Sequence, residues 1–169
     1  INMNKSSKTV TLHNKILLEA LDTAPATGWS DDLTAHLKQK FGIVEMTRHF
    51  PDGLLDLSRA FTQWADEQML SAIQDVDFNT MKIRERIAFG VRHRLEALIP
   101  YKPALKAAIQ YNMHPARGLV NKKFVWNTAD ALWVASGDTA TDYNHYTKRF
   151  LLSGILASTT LYFLKDTSE

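Results

Sequence analysis

Apolar residues recur along this chain at helical spacing, and nowhere do they alternate convincingly with period two. Leu12, Ile16, Leu17, Ala20 and Leu21 predict a first helix over 10–24, ended by Pro25. Ser30 caps a second, short helix over 31–40, with Asp31 and Asp32 suited to its start and Gly42 stopping it. A third short helix runs over 43–49 and stops before Pro51. Asp52 then caps a long helix over 53–74, with apolar positions Leu54, Leu57, Phe61, Trp64, Ala65, Met69 and Ile73. Asn79 or Thr80 caps the next, whose stripe Ile83, Ile87, Val91, Leu95 and Leu98 ends at Pro100. A shorter helix starts near Pro103 and is broken by Pro115 and Gly118. Helices over 119–136 and 143–165, joined by a turn at 137–141, complete the pattern.

Three short helices followed by five longer ones predict a single all-α domain. Residues 1–9 read as a disordered tail, 10–50 as a helix-turn-helix-like part, and 51–169 as an antiparallel helical bundle for ligand or partner. With 169 residues there is chain enough for a real core. The net charge of +2 does not demand a nucleic-acid partner, and the absence of cysteine excludes disulfides and thiolate metal sites. No secretory signal is read in 1–11. The longest apolar stretch, 150–164, is broken by serines, threonines and a glycine and falls short of a membrane span. These features point to a cytoplasmic protein, at most peripheral at a membrane.

Candidate chemistry is sparse. His36, Lys38, Lys40, Arg48 and His49 could serve a DNA-reading unit. Yet the reading helix would begin Ile43-Val44-Glu45-Met46, which offers two apolar residues, a carboxylate and a methionine where donors to bases are needed. Lys82, Arg84, Arg86, Arg92 and Arg94 read first as a solvated face with intrahelical ion pairs, and otherwise as a docking patch for an anionic membrane or an acidic partner. Asp130, Asp138, Asp142 and His145 match no metal-ligand spacing; Asp138 and Asp142 read as turn and capping residues. No nucleophile elbow, phosphate loop or dinucleotide fingerprint occurs, so catalysis and cofactors are not expected. The helix bearing Val125, Ala129, Leu132 and Trp133 has apolar residues on more than one stripe. The last helix is apolar nearly all round, with Ser153, Gly154, Ala157 and Ser158 allowing close approach, which suits a bundle centre, a dimer interface or the wall of an apolar cavity. Apolar periodicity picks out Phe61, Trp64, Leu98, Leu132, Ile155 and Leu161 as candidates to line such a cavity.

The block Asp130-Ala-Leu-Trp133-Val-Ala-Ser-Gly137-Asp138, followed by Thr141-Asp142-Tyr143-Asn144-His145-Tyr146-Thr147-Lys148-Arg149, resembles the core signature of a ubiquinone-biosynthesis accessory family, that of the ninth Coq protein. The family pattern is roughly D-x-x-W-x-x-A-G-D, a short gap, then D-[FY]-N-W-Y-T-[KR]-R. Gly28-Trp29, His49-Phe50-Pro51, Asp56-Leu57 and Ile83-Arg84-Glu85-Arg86-Ile87 also fall in place, so the likeness extends over about 16–168. His145 stands where the family usually has Trp, and Ser136 where it has Ala.

The resemblance implies a TetR-like fold without DNA binding, and a non-enzymatic role. It implies binding of an isoprenoid quinone precursor or phospholipid and its presentation to the di-iron demethoxyubiquinone hydroxylase. A homodimer and peripheral membrane contact are further partners it implies. Carried over, the partner-binding residues are Leu132, Asp142, His145 and Tyr146, with Trp133 packed beneath them. Family members usually continue with further helices, one of them amphipathic; this sequence ends at Glu169. The competing reading is a TetR-like regulator, whose DNA binding would depend on salt and on Lys38, Lys40 and Arg48.

Overall fold

The computed structural model describes residues 10–139, 141 and 143–166; the expected tail over 1–9 and the expected cap at Asp142 lie outside the described residues. Those described form eight α-helices and no strand: α1 (Leu12–Thr27), α2 (Asp31–Phe41), α3 (Ile43–His49), α4 (Leu54–Gln74), α5 (Ile83–Leu98), α6 (Lys102–Asn112), α7 (Gly118–Ala135) and α8 (Tyr143–Lys165). The fold is all-α, as the periodicity predicts, and its helix order is compatible with a TetR-like plan.

The differences lie at helix ends. Pro25 does not stop α1. It sits in the last turn, where it forfeits one backbone bond, and Gly28 (φ 71°) closes the helix by donating to the Ala24 carbonyl at 2.8 Å. Asp52 does not cap α4; its own N–H donates to Asp56 Oδ2 at 2.7 Å, and Gly53 occupies the cap position at φ 58°. Asn79 and Thr80 belong to a short 3-10 turn, and α5 starts later, where the Lys82 N–H donates to Glu85 Oε2 at 2.8 Å. Gly118 opens α7 instead of preceding it.

Two apolar cores are present. The first gathers α1, α2, α3, α6 and the N-terminal half of α4 around Ile16, Leu33, Leu57, Phe61 and Ala104, all buried. Trp29 fixes the α1–α2 turn to this core by donating from Nε1 to the Leu54 carbonyl at 3.1 Å. The second core joins the C-terminal half of α4 (Met69, Ile73) to α7 (Ala129, Leu132) and α8 (Leu152, Leu156). Packing therefore divides along the length of α4, downstream of the turn at Phe50–Pro51 that the sequence marks.

In the first core His13 stacks on Phe50, ring centroids 4.6 Å apart, and meets His49 edge-on at 5.7 Å. Burial and the neighbouring His49 lower its pKa, against the opposing pull of Glu67 and Asp56. An unfolded chain takes up a proton here as pH falls through about 6.5, while the folded His13 resists it. Stability contributed at this site is thus complete above about pH 6.5 and declines below it. Urea titrations at pH 7.5 and 5.5 should show the wild type losing more stability on acidification than His13→Gln.

Candidate functional site

Helices α5 and α8 run side by side in the same direction. At their N-terminal ends Arg86 reaches from α5 to the Ser136 carbonyl (3.1 Å), just before the turn into α8. At their C-terminal ends Lys102 donates to the Asp166 carbonyl and lies 4.6 Å over the Phe163 ring. Between them is a groove of about 850 Å3. Ile87, Val91, Leu95 and Ile99 form one wall, Leu151, Leu152, Ile155 and Phe163 the other, and Trp133 of α7 lines it between them. The i, i+4 spacing of Ile87, Val91 and Leu95 puts them on one face of α5. Arg84, Ala88, Arg92 and Glu96 lie one register outward and form an exposed lip. This volume falls in the range of ordinary small-molecule pockets, and the walls are apolar.

The groove depends on how α8 is anchored. Arg149, with a side chain only 2% exposed, donates from Nε to Asp130 at 2.5 Å and from Nη1 to Asp138 at 3.1 Å. Lys148 pairs with the other Asp138 oxygen at 2.8 Å and lies over the Trp133 ring, whose Nε1 donates to the Lys148 carbonyl at 3.0 Å. Gly137, at φ 92°, makes the turn that brings Asp138 back over the helices. Asp138, read from sequence as a turn residue, is therefore also an ionic anchor. Its signal was available in the three-charge pattern Asp130, Asp138 and Arg149.

Of the six residues picked as cavity-lining, Ile155 lines the groove. Phe61 and Leu98 are buried in the first core, where Trp64 packs against them, and Leu132 is buried in the second. Leu161 is exposed on α8, off the groove's lining. Single-helix periodicity ranks positions by apolarity, and fully packed positions score highest; a ligand wall needs half-covered ones such as Ile87, Val91 and Leu95, which the sequence marked only as a stripe.

Of the partner-binding residues, Leu132 has no exposed surface and cannot meet a partner without a rearrangement; its two-stripe helix is covered on both sides by packing. Asp142 lies outside the described residues. His145 and Tyr146 pack edge-on at 5.0 Å, and Tyr146 is exposed, alongside Trp126 at 6.4 Å. Trp133 lies under Lys148 and lines the groove. Away from the groove lining α8 carries Tyr143, Phe150 and Tyr162, all exposed.

The basic run on α5 is not simply a solvated face. Arg86 donates to the carbonyls of Phe78, Met81 and Ser136, and Arg94 pairs with Asp66 at 2.9 Å in the seam between α4, α5 and α7. Thr128 donates to Asp66 as well, and burial holds the Asp66 carboxyl above its usual range despite the pull of Arg94. In the N-terminal unit the basic cluster is largely neutralised. His36 and Lys40 engage Glu19, and Arg48 and His49 engage Glu45. Ile43 and Val44 stand exposed at the start of α3. That surface is poor in free donors to phosphate or bases. Among the described residues no cluster of side chains could hold a metal ion, and no helix is long and apolar enough to cross a membrane.

Comparison with known proteins bears on the same helices. Residues 121–169, which include most of α7 and all of α8, match the COQ9 family model. Over 97% of its length the chain is 28% identical to the ubiquinone biosynthesis protein COQ9, mitochondrial, of Drosophila melanogaster, covering 52% of that protein. The Homo sapiens protein of the same name is 27% identical over 93% of the chain, again with 52% covered. A probable ubiquinone biosynthesis protein coq9 of Dictyostelium discoideum is 22% identical over 91% of the chain. The chain thus spans about half the length of the curated relatives it matches. All three relatives are named as mitochondrial, where the sequence alone pointed to the cytoplasm. The likeness read from the 130–149 block therefore extends over nearly the whole chain, which is similar to COQ9 proteins throughout and matches the COQ9 family model over most of α7 and all of α8.

Proposed function

We propose that this chain is a non-enzymatic lipid-binding unit that supports ubiquinone biosynthesis. In this reading it holds an isoprenoid quinone precursor or phospholipid in the α5–α8 groove and presents the head group to the di-iron demethoxyubiquinone hydroxylase. The observation that carries the reading is the groove itself: about 850 Å3, walled by Ile87, Val91, Leu95, Leu151 and Ile155, in a chain whose relatives are named for ubiquinone biosynthesis. A long-tailed precursor leaves a bilayer at a cost of roughly 0.8 kcal/mol per CH2, and an apolar groove offsets that cost. The exposed aromatic surface at Tyr143 and Tyr146, beside the mouth, is where this reading puts the hydroxylase. No observation favours the DNA-binding alternative.

Native mass spectrometry with lipid extraction, on protein purified from cells, tests the reading. Near-stoichiometric isoprenoid quinone or phospholipid is expected. Ile155→Asp places a charge on the groove wall at a position already 55% exposed, so folding should be spared while lipid uptake falls about tenfold or more. A protein that is lipid-free and takes up no quinone when offered it would overturn the reading.

A further inference from the structure

Three basic side chains line the groove, Arg84, Arg92 and Lys148, and Lys148 is engaged with Asp138. Off the lining, Arg86 binds three carbonyls, Arg94 binds Asp66 and Lys102 binds the Asp166 carbonyl. Arg84 and Arg92 are the remaining two. Both line the groove, both are exposed, and neither has an ion pair or hydrogen bond among the described residues. They stand four residues to either side of Ala88 on one face of α5, about 12 Å apart along the axis. Ala88, between them on the helix, adds only a methyl group to the lining.

The few charges on the groove are unevenly placed along its length. Its single carboxylate, Glu96, lies beyond Arg92 towards Ile99 and Phe163, and it faces His93 at 3.4 Å. The Arg84–Arg92 stretch is therefore positive, and past Glu96 the lining at Ile99 and Phe163 is apolar, with Lys102 lying over the Phe163 ring. A wholly apolar ligand would gain nothing from this arrangement, whereas one with an acidic head and a single tail would match it along its length.

Resting on the lipid-binding reading, we infer that the groove also takes single-tailed amphiphiles with an anionic head and prefers them to neutral ones of the same tail, a phosphate or carboxylate being held between Arg84 and Arg92 with the tail directed to Ile99 and Phe163. Guanidinium forks suit both head groups, since each offers paired oxygens to paired N–H donors.

The test compares dodecyl phosphate with 1-dodecanol, which share a tail and differ in head charge, by titration calorimetry below the micellar range. Wild-type protein should prefer the phosphate about tenfold, and the preference should shrink with added salt because the lip is exposed. The Arg84→Gln/Arg92→Gln double variant should bind both ligands with similar affinity while keeping the wild-type affinity for dodecanol. Lys122→Gln, an exposed cation of α7 off the groove, should leave the preference intact. Equal binding of the two ligands by the wild type overturns head-group selection and leaves the lipid-binding reading standing. A double variant that retains the preference, or that loses both ligands alike, overturns the assignment to these arginines. Failure of the wild type to bind either ligand sinks both readings together.

Discussion

Arg149→Met is expected to cost about 3 kcal/mol of folding stability, read as a lowered urea midpoint at unchanged slope. The methionine retains much of the apolar stem but leaves Asp138, whose side chain is 4% exposed, without one of its two cations. Breaking a buried pair from one side costs about 3–5 kcal/mol in general. The low end applies because Lys148 still faces Asp138 and because Asp130 is half exposed and rehydrates. Arg149→Lys should recover little, since one ammonium cannot span Asp130 and Asp138 as the guanidinium does. Adding Asp138→Asn to Arg149→Met should restore part of the loss by removing a buried charge that has lost one of its cations. A loss under about 1 kcal/mol would show that the anchor contributes little to stability.

Leu132→Ala is expected to cost about 2–5 kcal/mol, the range for emptying a fully buried leucine position. Its counterpart across the helix crossing is Gly90 of α5, where an added Cβ would overlap Leu132 Cδ1 and lie 3.2 Å from Ile73 Cδ1. Gly90→Ala alone should destabilise. The overlap costs about 1–3 kcal/mol, against about 1 kcal/mol gained in helix propensity. Combined, the two changes should interact favourably, because the new methyl enters the space that Leu132 vacates. A double-mutant cycle should return a coupling of about 1 kcal/mol or more, and strict additivity would argue against the packing described. The experiment also bears on Leu132 as a partner contact: reduced partner binding by Leu132→Ala should follow its lost stability and not a lost surface contact.

Element existence was legible in the sequence because the long helices bury apolar residues at helical spacing, from Ile16–Leu17–Leu21 to Leu152–Leu156. Helix ends were less legible. Pro25 and Asp52 have strong positional preferences, but Gly28 and Gly53 supply backbone conformations that override them. The groove was hardest to read. Its walls come from two helices that are distant in sequence, and its lining residues are half covered, so neither helix alone distinguishes Val91 from Leu98. The roles of Arg86 and Arg94 were hidden for the same reason: their acceptors, Ser136 and Asp66, are distant in sequence.

Helix α4 contributes Leu57 and Phe61 to one core and Met69 and Ile73 to the other, on a single uninterrupted stretch of backbone. Neither half of the molecule can therefore melt without unseating a helix that the other needs. A chain severed at residue 50 would strand Leu54, Leu57 and Phe61 in water, so the N-terminal helices are not a detachable module despite their helix-turn-helix-like order. Heat should release the whole protein in one step, and a lipid that tightens the α5–α8 end should raise the melting temperature of α1 as well.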